Sequence, residues 1–377
     1  MKILFVQNMN GISGSELYLL QLLPALKKRG IDAEMLVVFT EDTGRNKSFV
    51  DQLKAGNVIT HEIYGHRPLS PALFLRIRKL LKKGRYDIVQ SNLIHADLWM
   101  AIEKLLFFPK MKLISVKHGF DEQYSAKYGF NTKKLNRSIF VWIQRLSGLM
   151  TNHNVTISKG IYDLYVEGKI SGKSKTEIVY YGLNLDHISK NGLERKDPGK
   201  YAIILGRLVK YKGHEYLIRA WKKVKEYDPS LKLLIVGGGA CKDYLEKLVH
   251  ELGLQEQVIF AGYQPNPHQL LHHAEFSVVT SIFEGFGLIT LESWHHRRPV
   301  VAFNVPALKE IIDHDVNGKL VNLYDVDGLA NSVIELFANS RSCQTLGENG
   351  ARKLQESYSL ERMTGQMETI YESLLKN

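Results

Sequence analysis

Short apolar runs alternate with stretches of helical periodicity along nearly the whole chain. In the first half the runs Ile3–Val6, Ala33–Phe39, Ile88–Ser91, Leu113–Val116 and Val155–Ile157 have strand length. Between them, apolar positions at three- and four-residue spacing predict helices near Ser15–Arg29, Pro71–Lys83, Ala96–Phe107 and Lys133–Ser147. A second series starts at Ala202–Leu205 and continues through Leu231–Val236, Val258–Phe260, Phe276–Thr280 and Val300–Phe303. This alternation is the sequence form of a parallel sheet with crossover helices, so the pattern predicts two doubly wound α/β domains in series. The polar segment Asp186–Lys200, with Asn191-Gly192 and Pro198-Gly199, reads as the linker between them. A length of 377 residues exceeds the usual size of a single core and agrees with that division. Ligands of such sheets bind at the carboxyl ends of the strands, and two facing sheets make a cleft.

Charge changes the picture of the first half. Residues 1–186 hold 27 Lys and Arg against 16 Asp and Glu, while residues 187–377 balance at 23 each. The whole net charge of +11 therefore sits in the N-terminal half, which suits an anionic membrane face, a phosphorylated lipid, an acidic glycan or a nucleic acid. Nucleic acid is the weakest of these, because no basic motif with aromatic residues interleaved on one sheet is present. Cys241 and Cys343 are too few for a disulfide framework and lie in no CxxC pair, which points to a reducing compartment. The opening Met1–Asn8 is too short for a signal peptide and reads as a first buried strand. No apolar run approaches the ~18–20 residues of a membrane span. The expectation is a cytoplasmic protein, with peripheral attachment to the inner face of the membrane through its basic half.

The densest chemical signal lies in residues 281–320. Glu284, which opens Glu284-Gly285-Phe286-Gly287, is followed after seven intervening residues by Glu292, then by the apolar strand Pro299–Ala302. One carboxylate in a glycine-containing loop and a second just inside a helix reach opposite ends of one polyol ligand, and the loop glycines bring bare backbone to it. Backbone N–H groups at the helix start favour an anionic group. A nucleotide sugar combines all three. Upstream, Gly206-Arg207-Leu208-Val209-Lys210-Tyr211-Lys212-Gly213 follows the first strand of the second domain. Arg207 and Lys212 there are suited to a departing diphosphate, whose developing charge fixed cations stabilise most in the transition state.

The stretch Ser281–Leu288, with Leu291-Glu292 and Pro299–Ala302, resembles the donor-site signature of glycosyltransferase family 4, retaining enzymes of the two-domain GT-B fold. The resemblance implies two Rossmann-like domains facing a cleft, residues 1–186 on the acceptor side and 187–358 on the donor side. It also implies that the final helix, near Leu360–Leu375 within 359–377, returns to the first domain. It places Arg207 and Lys212 on the donor diphosphate, Glu284 near the transferred sugar and Glu292 on the ribose hydroxyls. The backbone of Gly285, Phe286, Gly287 and Leu288 faces sugar and phosphate, and Gly262 and Tyr263 lie where the family reads the base. Lys210 falls outside the Arg…Lys-Gly pattern. In the first domain, Ser13 and Gly14 belong to a loop approaching donor phosphate and acceptor, where Gly14-Ser15 replaces the usual Gly-Gly and Ser15 has the alternative of capping a helix. His118 stands near the sugar, ahead of His95 and His153.

The implied reaction is retaining and metal-independent, with a UDP-sugar as donor, a glycan or lipid-linked acceptor, and the departing phosphate oxygen taking the acceptor's proton. No cofactor or metal is expected. A non-catalytic nucleotide-sugar-binding subunit is the alternative. Two Asp-x-Asp spellings, Asp313-His314-Asp315 and Asp325-Val326-Asp327, fall at a turn and at a helix start, so a metal role is not expected of them. The pairs His272-His273 and His295-His296 lack the i, i+4 spacing of a shared metal. Ile235–Ala240 begins like a dinucleotide fingerprint but has Lys242 where the third glycine belongs. Arg297-Arg298 and Val305-Pro306-Ala307 depart from the family's usual glycines. Two helical stretches, the basic Arg76–Arg85 and the mixed Asn131–Met150, are candidates for contact with anionic lipid.

Overall fold

The computed structural model describes every residue except 10–13, 40–43, 66–68, 121–123, 125–126, 128, 130, 133–134, 136–138, 185–198, 265 and 377. The chain divides into two compact units, the first comprising Met1–Asp121, Asn131–Leu183 and Ser359–Asn377, the second built on Asn184–Tyr358. Most of the expected linker lies outside the described residues.

In the first unit seven strands form one parallel sheet: β1 (Lys2–Met9), β2 (Asp32–Phe39), β3 (Ile59–Tyr64), β4 (Ile88–Asn92), β5 (Lys112–Lys117), β6 (His153–Thr156) and β7 (Thr176–Ile178). Their order is β3-β2-β1-β4-β5-β6-β7, which reverses direction between β1 and β4. Described helices of this unit are α1 (Gly14–Lys28), α2 (Gly44–Ala55), α3 (Pro71–Gly84), α4 (Leu93–Leu106), α5 (Ile139–Met150) and α6 (Lys159–Glu167). Alternate residues of a strand face opposite sides. Leu4 and Val6 of β1, with Val89 and Leu113, accordingly pack against Leu73, Ile77 and Leu81 of α3 and Ala96, Trp99 and Met100 of α4. Pro71 starts α3 at a position where its missing N–H is no loss, and Ser158 caps α6 by accepting from the N–H of Ile161 at 3.1 Å. Of the helix expected at Lys133–Ser147, most of residues 133–138 lie outside the described residues, and the described helix runs Ile139–Met150.

The second unit carries six parallel strands, β8 (Tyr201–Leu205), β9 (Lys232–Val236), β10 (Val258–Gly262), β11 (Phe276–Val279), β12 (Val300–Phe303) and β13 (Gly318–Val321). Their order is β10-β9-β8-β11-β12-β13, reversing between β8 and β11. Its helices are α7 (His214–Tyr227), α8 (Lys242–Glu251), α9 (His268–His273), α10 (Leu288–His295), α11 (Pro306–Ile311), α12 (Val326–Ala338) and α13 (Ser340–Ser357). The two chemical loops of the sequence, Gly206–Gly213 and Thr280–Gly287, follow β8 and β11. They therefore emerge side by side at the point where the strand order reverses, the usual ligand position in such sheets.

The last helix, α14 (Leu360–Lys376), belongs to the first unit, as the resemblance implied. It packs beside α1, its Tyr371 ring meets Phe5 edge-on, and its Tyr371 hydroxyl donates to Gln90 Oε1 at 2.6 Å. Leu183 bridges Ser359, where a side chain on Gly182 would come within 2.2 Å of the Ser359 carbonyl oxygen.

Candidate functional site

The loops after β8 and β11 are stitched together by backbone and side chain. The N–H of Ile282 donates to the Tyr211 carbonyl at 2.8 Å, and Thr280 Oγ1 donates to the Lys212 carbonyl at 3.1 Å. Gly213 holds φ +67°, and any Cβ there would lie 2.1 Å from the Thr280 carbonyl oxygen, so the Lys-Gly pair is a packing requirement. Across this seam Lys212 Nζ pairs with Glu284 Oε1 at 2.5 Å, and Ser281 Oγ donates to the same oxygen at 2.7 Å. Arg207 is exposed, with Nη2 donating to the Tyr211 hydroxyl at 2.5 Å. Tyr211, which the sequence reading passed over, thus tethers one cation while its ring lies 5.7 Å from the other, Lys212. Lys210 is exposed beside them.

Glycines join the loop to its neighbours. A Cβ on Gly237 (φ +142°) would sit 1.9 Å from the Gly206 carbonyl oxygen, and one on Gly239 (φ +156°) 2.5 Å from that of Leu208. The N–H of Gly237 donates to the Gly262 carbonyl at 2.8 Å. The run Gly237-Gly238-Gly239 therefore serves close backbone packing, and Gly262 ends β10 at that same seam, followed by exposed Tyr263.

Glu292 stands on α10, which Gly287 opens at φ +98°. Thr290, Leu291, Ser293 and Trp294 are the buried positions, while Leu288, Ile289, Glu292 and His295 are partly exposed, Leu288 and Glu292 one turn apart. Among the described residues no side-chain hydrogen bond or ion pair reaches the Glu292 carboxylate, and burial pushes its pKa up to about 7. Phe286 is buried with its ring against Tyr358, so only its backbone is available to a ligand, like that of partly exposed Gly285. Arg297 takes the left-handed conformation, φ +56°, that the turn before β12 demands, and Pro306 begins α11.

In the first unit, Gly14 opens α1, while Ser13 lies outside the described residues. Ser15 is inside the helix rather than capping it. Its hydroxyl donates to Glu16 Oε2 at 3.1 Å and accepts from Gln7 Nε2 at 3.3 Å. His118 follows β5, and both ring nitrogens are engaged, Nδ1 with the Tyr181 hydroxyl at 2.5 Å and Nε2 with Asn92 Oδ1 at 3.0 Å. Burial lowers its pKa to about 3, so the ring is neutral, with Tyr181 donating to Nδ1 and Nε2–H donating to Asn92. A sugar hydroxyl binding this imidazole has to displace one of those partners. Leu93, next to Asn92, carries φ +69°, an outlier for a bulky residue where the order of the sheet reverses. His95 rests near Trp99, and His153 faces Glu177 at 3.3 Å.

The Asp-x-Asp spellings have other occupations. Asp313 accepts from Asn317 and Lys353, Asp315 pairs with Lys319, and Asp325 caps α12 through the N–H of Gly328. Among the described residues no group of three His, Cys, Asp or Glu is arranged to hold a metal ion.

Two family patterns match consecutive parts of the chain: Glycosyltransferase Family 4 over residues 12–187 and Glycosyl transferases group 1 over residues 187–353. An uncharacterized glycosyltransferase of Methanocaldococcus jannaschii is 27% identical over 357 residues, covering 87% of this chain and 90% of that one. The N-acetylgalactosamine-N,N'-diacetylbacillosaminyl-diphospho-undecaprenol 4-alpha-N-acetylgalactosaminyltransferase of Campylobacter jejuni is 32% identical, covering 59% of each chain. The crystal structure of Anabaena HepE in complex with UDP-glucose superimposes with a TM-score of 0.81 at 20% identity, covering 99% of this chain and 100% of that one. With two parallel-sheet units of GT-B type and both family patterns matched in order, the chain belongs to glycosyltransferase family 4 and is a glycosyltransferase.

Proposed function

We propose that this protein transfers a sugar from a UDP-sugar to a glycan or lipid-linked acceptor in polysaccharide or glycolipid synthesis, with retention of anomeric configuration and without a metal ion. The observation that carries the reading is the unpaired, partly buried Glu292 carboxylate, on the helix that follows the loop of the Glu284–Lys212 pair. A ribose supplies two hydroxyl donors to an acceptor that otherwise has none, and each such bond to a charged acceptor contributes about 1.5–3 kcal/mol. Lys212 and Arg207 take the diphosphate. Lys212 is paired with Glu284 and Arg207 donates to the Tyr211 hydroxyl, contacts that hold both cations in place. As the sugar–phosphate bond breaks, the departing oxygen gains charge beside them and takes the acceptor's proton, and the acceptor attacks from the same face. The UDP-glucose complex of Anabaena HepE supports uridine as the base, and the diphospho-undecaprenol in the name of the Campylobacter enzyme supports a lipid-linked acceptor.

Thermal denaturation with UDP, GDP and ADP, each with and without a chelator, tests the donor half. UDP raises the melting point, chelator leaves the shift unchanged, and Arg207→Ala or Glu292→Ala abolishes it. A shift with another nucleotide alone, or one lost to chelator, overturns the donor or the metal assignment. Transfer by the purified chain, with the product's anomeric configuration read by NMR, separates an enzyme from a binding subunit.

A further inference from the structure

Helix α5 is built inside out. Its buried positions are Val141, Gln144, Ser147 and Gly148, while Ile139, Trp142, Leu146 and Leu149 are 71%, 54%, 64% and 69% exposed. The exposed four follow helical spacing, so they form one outward stripe. Gly148 shows why the inner face is small: a Cβ there would come within 2.8 Å of the Ile170 carbonyl oxygen. The stripe continues onto α4, which packs beside α5 and ends in exposed Leu105 and Leu106, with Phe107 just beyond. Next to it lies α3, whose Arg78 guanidinium sits 3.2 Å over the Phe107 ring and whose exposed Arg76, Lys79, Lys82 and Lys83 face solvent.

Charge along this surface has one sign. Helices α3 and α5 contain no Asp or Glu. The two acids of α4 are buried and paired, Asp97 with Lys117 and Glu103 with Arg78. Trp142 completes the pattern, with the Arg145 guanidinium 5.1 Å from its ring, an aromatic body beside a cation of the kind found at membrane interfaces. Among the described residues no helix is long and apolar enough to cross a membrane.

We infer that α5, with the end of α4, dips into the surface of an anionic lipid bilayer while the cations of α3 meet the headgroups. An apolar stripe of this size costs free energy in water and gains it at the acyl boundary. The uniform cationic flank fits a negatively charged leaflet, whereas a second copy docked through the same face would set these cations near their own equivalents. Of the two sequence candidates, the structure makes α5 the inserting element. Helix α3 buries Leu73, Ile77 and Leu81 in the core and contributes charge.

Vesicle binding by the full chain tests this without donor or turnover, so its outcome is independent of the proposed transfer. Trp99, Trp221 and Trp294 are at most 1% exposed, which leaves Trp142 as the tryptophan that brominated lipid can reach. The protein is expected to sediment with vesicles containing about 30% phosphatidylglycerol at low salt, and far less with phosphatidylcholine alone. Brominated lipid should quench its fluorescence. The double variant Trp142→Ser, Leu146→Ser should bind about tenfold less or weaker still, with its circular dichroism and UDP-dependent melting unchanged, while Tyr227→Ser, in the second unit, binds as the parent does. No sedimentation and no quenching at low salt would overturn the inference. So would undiminished binding by the double variant, or a concentration-dependent dimer that the double variant abolishes.

Discussion

At Glu292 a single carboxyl group links ligand binding to pH. Its folded pKa of about 7 lies above the ordinary 4.5, with burial as the cause. Below pH 4.5 the group is protonated whether the chain is folded or not, and its contribution to stability is complete. As pH rises through 7 the folded protein must ionise a buried acid, and up to about 3 kcal/mol is lost, less to the extent that water reaches the group. Hydroxyl donors from a ribose favour the ionised form, so UDP should bind more tightly as pH rises through 7 and release a proton on binding. Calorimetry in buffers of different ionisation enthalpy checks this. Glu292→Gln should remove most of that proton release, leaving the part that belongs to the phosphate, and lose about 10- to 100-fold in affinity. Arg207, Lys212 and Glu284 stood out in the sequence because each lies in a loop with a glycine beside it, and Glu292 because of its spacing from Glu284. The partners of His118 were not. Asn92 and Tyr181 are separated from it by 26 and 63 residues, and only the sheet brings them together. Tyr211 was passed over for another reason: a tyrosine between two lysines carries no signal until its hydroxyl is seen on Arg207.

Strand by strand, the sheet centres were legible and three of the four edges were not. The sequence pattern missed β3, β7 and β13, and all three lie at the ends of their sheets. A central parallel strand is covered on both faces and reads as an unbroken apolar run, whereas an edge strand is half exposed and mixes polarity. Ile59–Tyr64 shows this, with Ile63 its one buried residue, and Thr176–Ile178 is only three residues long. β12 matched at both ends, and the remaining strands were displaced by up to three residues at one end or both. Backbone crowding at the end of β9 was also hidden, since three consecutive glycines suggest either a ligand loop or a packing seam. The seam predicts a sharp contrast. Gly237→Ala should destabilise the second unit by about 3 kcal/mol or more and weaken UDP binding through the loop that carries Arg207. Gly238→Ala, with nothing within 4 Å of its Cβ position and an ordinary φ, should leave both close to unchanged. Melting curves and nucleotide titrations of the two variants make the comparison.

For the molecule as a whole, the decisive feature is that the first unit is discontinuous in sequence. Residues 359–377 complete it after the entire second unit has intervened. Tyr371 of that return is fully buried, and Gln90 Oε1 accepts a hydrogen bond from its hydroxyl. Tyr371→Phe leaves the Gln90 oxygen without its donor and should cost about 1–3 kcal/mol of stability, read as a lower denaturant midpoint with the slope unchanged. A consequence reaches back to synthesis. The second unit has all of its sequence once Tyr358 has left the ribosome, but β1, made long before it, must wait for α14, made after it, before Phe5 is covered. A strand made early is finished late. While the second unit is being made, the sheet of the first stands open on one side, and a nascent chain halted before α14 carries a complete second unit and a first unit that has never closed.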